Sequence, residues 1–368
     1  MKRFLYLIIF FLPLFFGGKA LFAAGTYACG TSLPPFSVPS ARNAGMGGSH
    51  AAYTDDINSL FINPAALRTT STFSATELSA GVYGDSRGLL RIMKAMGDTD
   101  ALADALGSFV TNSNGAIPMG FDVRGPIALG NIKNGWGWGV FNRFYGGALA
   151  TGRDLRIRAN LDLMFNLGYA FRAVNIGVHT LDLGVMGKVY GRKTFDSGSV
   201  PLAELIAGKE TLRSRFTPAP VTLGAGMDLG LQYRLAHNFT AGLVVQDFFS
   251  LGVVIPVDLN GTVTSSPYPD NIRPTVNIGL SYKLIDNSLF TWAVMADYRD
   301  LYNLFRQRVY GSRNGWLNLS LGTELILFKH IAFRAGMNEM LPTVGIGLDL
   351  VVFKVDAAFY GKELGNEP

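Results

Sequence analysis

The sequence predicts an all-β fold, a transmembrane antiparallel β-barrel, on the basis of three observations. Hydrophobic residues make up 48% of the chain and aromatic residues 12%, yet no stretch after residue 24 offers the ~18 consecutive apolar residues of a membrane-spanning helix. From residue 118 onward, large apolar residues alternate with small or polar ones, which is the period of a β-strand. Glycine accounts for 44 of 368 residues, well above the average of about 7%. A closed barrel is the one non-helical structure that satisfies its backbone polar groups in lipid.

The chain begins with a predicted secretory signal peptide over residues 1–24. Lys2 and Arg3 precede an apolar run over 5–16, and small residues at 23–25 suit cleavage. The single cysteine, Cys29, excludes an internal disulfide. Lipidation of Cys29 and the position of the cleavage site stay open.

The charge balance argues against a nucleic-acid partner. The chain has 32 basic and 27 acidic residues, and three of the basic ones, Lys2, Arg3 and Lys19, lie in the predicted signal peptide. The remaining chain is close to neutral and contains no cluster of lysines and arginines. We therefore expect no binding of nucleic acid.

A stretch of unusual composition follows at residues 41–67. A glycine-rich turn at 45–48 is followed by small residues, an acidic pair at 55–56, and Asn63-Pro64. Glycine permits the positive φ of a sharp bend and close packing of the backbone. Asn63 precedes a proline, so a helical turn before it is predicted to end there. A phosphate-binding loop is disfavoured, because the prolines at 34–39 do not fit the central strand that should precede one.

Residues 40–67 resemble the N-terminal signature of the FadL/TodX superfamily of outer-membrane transport proteins. The resemblance rests on a GMGG turn, alanines, an acidic residue and NPA before the first strand. It implies that residues 25–70 form a hatch, a plug inside the barrel lumen, and that residues 71–368 form the barrel. The hatch positions that it implies are Gly45, Gly47, Gly48, Asn63, Pro64 and Ala65.

Alternation of residue types defines the strands. In 161–171 every second residue is Leu, Phe or Tyr, and in 221–235 the opposite face is rich in glycine. A membrane barrel turns its apolar face to lipid, whereas a soluble sandwich would turn it to a core. Stretches of ten or more residues and the glycine-rich polar face favour the barrel. The predicted strands are 73–83, 119–129, 135–145, 160–172, 180–192, 220–235, 238–248, 274–285, 289–299, 316–327, 331–338, 343–350 and 352–360.

Thirteen strands would be an odd number for a barrel that normally has an even one. A further strand in 251–264, or a miscount at the C-terminal hairpin, would remove the discrepancy. The family usually has 14 strands, so we expect about 14. Tight turns are predicted at 236–238, 285–287 and 328–330. Longer loops are predicted at 193–219, 249–273 and 300–315, as on the outer side of a barrel.

One region, 86–110, has the period of two short amphipathic helices. We expect it to form an outer loop that either packs on the barrel rim or offers a hydrophobic ligand its first contact. The candidate ligand-binding residues are Leu89, Leu90, Met93, Met96, Leu102, Leu106 and Phe109.

Charged residues in phase with the polar strand faces are expected mainly to pair with one another and to hold the hatch. Two of them, Arg234 and Arg334, are candidates for binding a carboxylate head group. The charged positions are Asp182, Lys188, Asp228, Arg234, Asp297, Arg299, Glu324, Arg334, Asp349 and Asp356.

The sequence contains no recognisable catalytic or metal-binding spacing. His50 follows Ser49 and lies near Asp55 and Asp56, but sequence proximity does not by itself create a catalytic triad. We predict that the protein is not an enzyme and has no metal or other cofactor.

The resemblance implies passive uptake of long-chain fatty acids or similar hydrophobic molecules across the bacterial outer membrane, gated by the hatch. The expected partners are this ligand, outer-membrane lipids and the outer-membrane assembly machinery, and the expected state is a monomer. The alternative is a FadL-like barrel that transports nothing and acts as a protein-binding secretion shuttle or a surface adhesin. An apolar lumen would favour transport, and a charged, filled lumen would favour the shuttle.

Overall fold

The computed structural model describes residues 40–84, 101, 104, 117–150, 154–201, 219–258, 261–301, 315–350 and 353–361. The expected signal peptide and Cys29 lie outside this part of the chain. So do the seven candidate ligand residues of the 86–110 loop, where Ala101 and Asp104 alone are described, both in helical conformation.

In the described part of the chain, 15 antiparallel strands form one sheet. The helical elements are short and few: α1 (Ala41–Gly45), α2 (Ser59–Ile62) and two 3-10 helices (Pro64–Arg68 and Gly315–Asn318). The strands are β1 (Thr72–Ser74), β2 (Ser79–Gly84), β3 (Ile117–Lys133), β4 (Trp136–Ala150), β5 (Asp154–Ile176), β6 (His179–Pro201), β7 (Val221–Leu235), β8 (Phe239–Ile255), β9 (Tyr268–Pro269), β10 (Thr275–Asp286), β11 (Phe290–Tyr298), β12 (Leu319–Leu327), β13 (Ile331–Asn338), β14 (Leu341–Asp349) and β15 (Lys354–Tyr360).

The all-β, antiparallel prediction is confirmed. Each predicted strand has a counterpart, the first being split into β1 and β2, which both pair with β3. The two extra strands among the described residues are this split and the two-residue β9 beside β8. The 251–264 region holds no full strand: β8 runs on to Ile255, and an isolated bridge joins Val257 to Val263.

The two faces of the sheet differ sharply in chemistry. In β5, Leu163 is 52% exposed and its outward neighbours Leu161 and Phe165 are similarly exposed, whereas Asp162 on the opposite face is 1% exposed. The large apolar side chains therefore point outward and the polar ones inward, the reverse of a soluble sandwich. No helix in the described part of the chain is long and apolar enough to cross a membrane.

The inner face of the sheet is covered by the residues that precede it in the chain. We call residues 40–71 the N-terminal segment. Backbone or side chains of this segment lie against strands from β3 round to β15. A segment of this length can reach so many strands on one face only if the sheet curves around it.

The wall formed by β1, β2, β3 and β4 contains an interruption. The β1 ladder ends with Ser74 opposite Gly130, and the β2 ladder begins with Ser79 opposite Arg124. Between β3 and β4 the register also shifts from Arg124 to Ala128. Residues 75–78 and 125–127 thus lack ordinary ladder pairing, and we call them the wall interruption.

The two edges of the sheet approach each other. The Tyr360 hydroxyl of β15 lies 3.4 Å from where a Cβ would stand on Gly81 of β2. With β1 and β2 counted as one position, the path along the sheet passes thirteen antiparallel positions in the described residues. Its two edge strands therefore run in the same direction.

Candidate functional site

The N-terminal segment, packed against the inner face of the sheet, is the candidate functional site. It begins with α1, whose N-cap Ser40 accepts a hydrogen bond from the Asn43 backbone N–H at 3.2 Å. Capping of this kind satisfies one of the free amides at a helix start. The glycine turn follows at once, so the sequence itself accounts for the short helix and its abrupt end.

The predicted glycine turn has the geometry that its composition requires. Gly47 and Gly48 have φ of 85° and 120°, values that other residues seldom adopt. A Cβ on Gly47 would stand 2.8 Å from the Met337 carbonyl oxygen of β13. Gly45 meets Gly345 of β14, with 3.0 Å from its would-be Cβ to the Gly345 Cα. The turn is therefore set backbone against backbone.

Next to this turn, Glu324 of β12 accepts hydrogen bonds from side chains of both the segment and the wall. Its side chain is fully buried. Arg42 donates through Nε and Nη2 at 3.0 and 2.8 Å, Arg334 donates through Nε at 2.7 Å, and the Tyr53 hydroxyl donates at 2.9 Å. Charged hydrogen bonds of this kind are among the strong ones. They fix the first part of the segment to the wall.

Burial and neighbouring charges shift two groups of this cluster. Burial alone lowers the pKa of Arg42, but the carboxylates of Asp55, Glu324 and Asp56 outweigh it and raise that pKa well above its usual range. Burial, together with the Glu324 carboxylate, raises the pKa of Tyr53 well above 10. Arg42 therefore remains charged and Tyr53 remains a neutral donor.

His50 provides a second attachment. Its Nδ1 lies 2.5 Å from Oδ2 of Asp297 in β11, and its Nε2 lies 2.9 Å from the Met46 carbonyl oxygen. Because a carbonyl occupies the second ring nitrogen, the Ser49-His50 pair does not have the geometry of a nucleophile beside its base.

The Asn63-Pro64-Ala65 motif forms a third attachment. Asn63 is fully buried and caps the 3-10 helix, because its Oδ1 accepts from the Ala65 N–H at 3.0 Å. Its Nδ2 donates to the Ala51 carbonyl at 2.7 Å and to the Leu231 carbonyl of β7 at 3.3 Å. One side chain thus ties together two parts of the segment and the wall.

Glycines of the wall allow this close approach. At each of them a side chain would meet the segment: a Cβ on Gly230 would stand 2.8 Å from Pro64 Cδ, and one on Gly137 2.8 Å from Leu60 Cδ2. The glycines that face the segment in this way are Gly130, Gly137, Gly139, Gly184, Gly230, Gly242, Gly322, Gly336 and Gly345. They explain why the inward face of the predicted strands is so rich in glycine.

Beyond the segment, the inner face carries buried ion pairs. Lys188 Nζ lies 2.8 Å from both Asp228 and Asp247. Arg192 donates to both oxygens of Asp162, at 2.6 and 2.9 Å. The expected mutual pairing of inward charges is present in this layer, which presents charge rather than an apolar surface.

The two arginines proposed for a carboxylate ligand both have protein partners. Arg234 pairs with Asp182 and donates to Thr69 Oγ1 at 3.1 Å. Arg334, already bound to Glu324, also donates to Asp356 at 2.6 Å. They lie on different parts of the wall, β7 and β13.

Sequence reasoning did not single out Arg124, which contacts both the segment and the wall interruption. Its Nη1 donates to Asn58 Oδ1 at 2.7 Å, and its Nη2 lies 3.2 Å from Glu77. The Gly125-Pro126 pair beside it, an obvious break in a strand pattern, is the signal that could have drawn attention to this position. No group of three His, Cys, Asp or Glu side chains that could hold a metal occurs among the residues that the structure describes.

Comparisons with known proteins give weak likenesses only. No family model and no curated protein sequence matches this chain. The ferric citrate transporter FecA in its unliganded form matches 66% of this chain at 11% identity and a TM-score of 0.28. The alcaligin outer-membrane receptor FauA from Bordetella pertussis matches 63% at 11% identity and 0.26. The copper transporter OprC matches 67% at 10% identity and 0.19.

The matched stretches amount to 37% of FecA, 37% of FauA and 50% of OprC. TM-scores of this size do not define a shared fold. The argument for function therefore rests on the residues and contacts described above.

Proposed function

We propose that this protein is an outer-membrane β-barrel channel in which the N-terminal segment acts as a hatch, and that it takes up long-chain fatty acids or similar hydrophobic molecules. The observation that carries the membrane part is the reversed sheet: leucines such as Leu163 and Leu167 are about half exposed while their neighbour Asn166 is buried. Such a surface is stable in lipid and costly in water. The outward-facing side chains are accordingly expected to contact outer-membrane lipids.

The hatch part is supported by how completely the segment is enclosed. Glu324, Asp297 and the Leu231 carbonyl each hold a different part of it. The glycine positions of the motif, Gly45 and Gly47, lie against backbone of the wall. Passage of a ligand through the lumen then requires the segment to shift, and the Asn63-Pro64 corner is where we expect that shift.

The hydrophobic substrate rests on the resemblance to the FadL family. A ligand of this kind would first contact the apolar residues of the 86–110 loop. The inward ion pairs, such as Arg192 with Asp162, make the deep lumen a poor environment for an alkyl chain, because burying an apolar chain against charges gains little and costs their hydration.

A lateral route avoids that layer. At the wall interruption, side-chain bonds replace ladder bonds: Thr76 Oγ1 donates to the Pro126 carbonyl at 2.6 Å, and Asn142 Oδ1 accepts from the Ile127 N–H at 2.9 Å. Opening here exposes fewer backbone groups to lipid than opening an intact ladder. We propose it as the exit of a hydrophobic ligand into the membrane. A monomer that needs the outer-membrane assembly machinery for insertion completes the proposal.

A second candidate function is a barrel that binds protein through its outer loops and transports nothing, as a secretion shuttle or adhesin. The charged inner layer, with Lys188 held between Asp228 and Asp247, is the observation that favours it. Such a lumen is filled by its own ion pairs and needs no ligand.

Native mass spectrometry with lipid extraction on detergent-purified protein separates the two. We expect a co-purified fatty acid or similar lipid in the wild type, with retention altered in Asn63→Ala combined with Pro64→Ala. Asn238→Ala in an exposed turn is the matched control and should leave retention unchanged. Absence of bound lipid, together with no binding of added fatty acid, would exclude the transport function and favour the shuttle.

A further inference from the structure

We infer that Arg124 is a positioning residue that couples the N-terminal segment to the wall interruption, so that displacement of the segment loosens the wall at residues 75–78 and 125–127. This inference rests on the proposed plugged channel. It makes no assumption about the ligand.

Arg124 stands at the last paired position before the interruption. It pairs with Ser79 of β2 on one side and with Arg143 of β4 on the other. The next residue, Gly125, has φ of 92°, and a Cβ there would overlap the Glu77 carbonyl oxygen. The wall on both sides of the break is thus arranged around the backbone of Arg124.

The side chain of Arg124 reaches in two directions. Towards the segment, its Nη1 donates to Asn58 and its guanidinium carbon lies 5.3 Å from the centre of the Phe61 ring. Towards the wall interruption, its Nη2 lies 3.2 Å from Glu77. The guanidinium also lies 5.2 Å from the Phe141 ring of β4, and Phe61 and Phe141 pack edge to face at 4.6 Å. One buried cation, 1% exposed, is therefore shared between the hatch and the wall.

The sharing has an energetic consequence. Within the described part of the chain, Arg124 Nε and Nη2 are buried and form no hydrogen bond. The Asn58 bond, the 3.2 Å ion-pair contact with Glu77 and the two rings are therefore what offset the burial of Arg124. If Asn58 and Phe61 move away with the segment, only Glu77 and the Phe141 ring of β4 remain. A buried charge left with so little compensation is costly, and the relief available to it is to move with Glu77 towards water, which separates residues 75–78 from β3.

The coupling belongs to Arg124 rather than to positive charge in general. A guanidinium offers donors in a fixed fork and stacks on aromatic rings, whereas an ammonium has neither property. Arg124→Lys should keep the charge near Glu77 and lose the simultaneous contact with Asn58 and the rings.

The test is amide hydrogen exchange of the full chain in detergent micelles, followed in peptides that cover 74–79 and 125–128. In the wild-type background, the Asn63→Ala/Pro64→Ala variant is used to displace the segment, because Asn63 holds it through Ala51 and Leu231 and not through Arg124. We expect it to speed exchange in these peptides roughly tenfold, the effect of losing one strong hydrogen bond to a charged group, while peptides of β13 and β14 change little.

In Arg124→Gln and in Arg124→Lys we expect faster exchange at the interruption from the start and no further increase on adding Asn63→Ala/Pro64→Ala. Arg172→Gln, which removes an arginine paired with Asp182 of the wall, is the control and should preserve the response.

An additive response in Arg124→Gln would assign Arg124 a merely structural role and overturn the inference. So would the absence of any response in the wild type. The exchange experiment contains no ligand. A negative result therefore does not affect the channel proposal, which is tested separately by lipid retention.

Discussion

His50 and Asp297 join the N-terminal segment to β11 through a contact of 2.5 Å between Nδ1 and Oδ2. The second carboxylate oxygen of Asp297 accepts a hydrogen bond from the Ala51 N–H at 2.7 Å, so both oxygens of the carboxylate bind the N-terminal segment. Gly279 of β10 leaves the space for it, since any side chain there would overlap the carboxylate. The attachment thus depends on two strands, β10 and β11, together with the N-terminal segment.

Asp297→Ala should destabilise the fold by about 2–6 kcal/mol, because it leaves a buried imidazole and a buried N–H without their acceptor, at about 1–3 kcal/mol each. Asp297→Asn keeps an oxygen for Ala51 and should cost less. The free energy of unfolding, from urea titration of the refolded protein followed by tryptophan fluorescence, measures both. Asp286→Ala, in an exposed turn pair with Lys283, should lie within about 1 kcal/mol of the wild type; equal losses at 286 and 297 would contradict the assignment.

Glu324→Ala should release the first part of the segment, because Arg42 and Tyr53 both lose the carboxylate that binds them. We expect the peptide bond between Arg42 and Asn43 to be protected from trypsin in the wild type and to be cleaved in the folded Glu324→Ala variant. N-terminal sequencing of the fragments identifies the cut. Glu339→Ala, at the β13–β14 turn, should leave Arg42 protected, and protection retained in Glu324→Ala would show that the carboxylate does not anchor the segment.

Gly230→Ala should disturb the N-terminal segment, because the added methyl group would press on Asn63 and Pro64. Overpacking of this kind costs about 1–3 kcal/mol. Gly187→Ala is the matched control: its methyl group would have 3.7 Å to the Leu167 carbonyl oxygen as its closest contact, and its stability should stay within about 0.5 kcal/mol. Ion conductance in planar bilayers should rise for the first variant alone.

Leu163→Arg tests the orientation of the sheet in lipid. An arginine facing the middle of the bilayer costs a transmembrane barrel about 2–4 kcal/mol, whereas an exposed substitution in a water-soluble protein usually changes stability by less than about 0.5 kcal/mol. Folding yield and unfolding free energy in phospholipid vesicles give the measurement. An unchanged value would argue that Leu163 does not face lipid.

The sequence predicted the strands well because period-2 alternation is a local property of the chain. The turns at 236–238 and 328–330 follow from the same pattern. The turn predicted at 285–287 lies at 287–289, because β10 runs on to Asp286. It underestimated β5 and β6, which extend to Asp154 and Pro201. Polar residues at their far ends, such as Arg156 and Asp196, pair with each other and break the apolar alternation, so the pattern stops before the strand does.

The attachments of the N-terminal segment were harder to predict from the sequence. The Asn63-Pro64-Ala65 corner could be recognised because its cap is local. Arg42 pairs with Glu324, which is 282 residues away along the chain, and Arg124 pairs with Asn58, which is 66 residues away. No local sequence rule predicts either pair. Which arginines are already bound, and so are unsuited to grip a ligand, also depends on these distant contacts.

The glycines of the wall that face the N-terminal segment limit how the sequences of the segment and the wall can change in evolution. Each of them lies against particular backbone or side-chain atoms of the segment, as Gly230 does against Pro64 and Gly137 against Leu60. A segment taken from a related protein would place large side chains where this wall leaves no space for them, or small ones where this wall leaves a cavity. Segment and wall can therefore change only in concert, and chimaeras that exchange one without the other should assemble poorly even when both parents are stable.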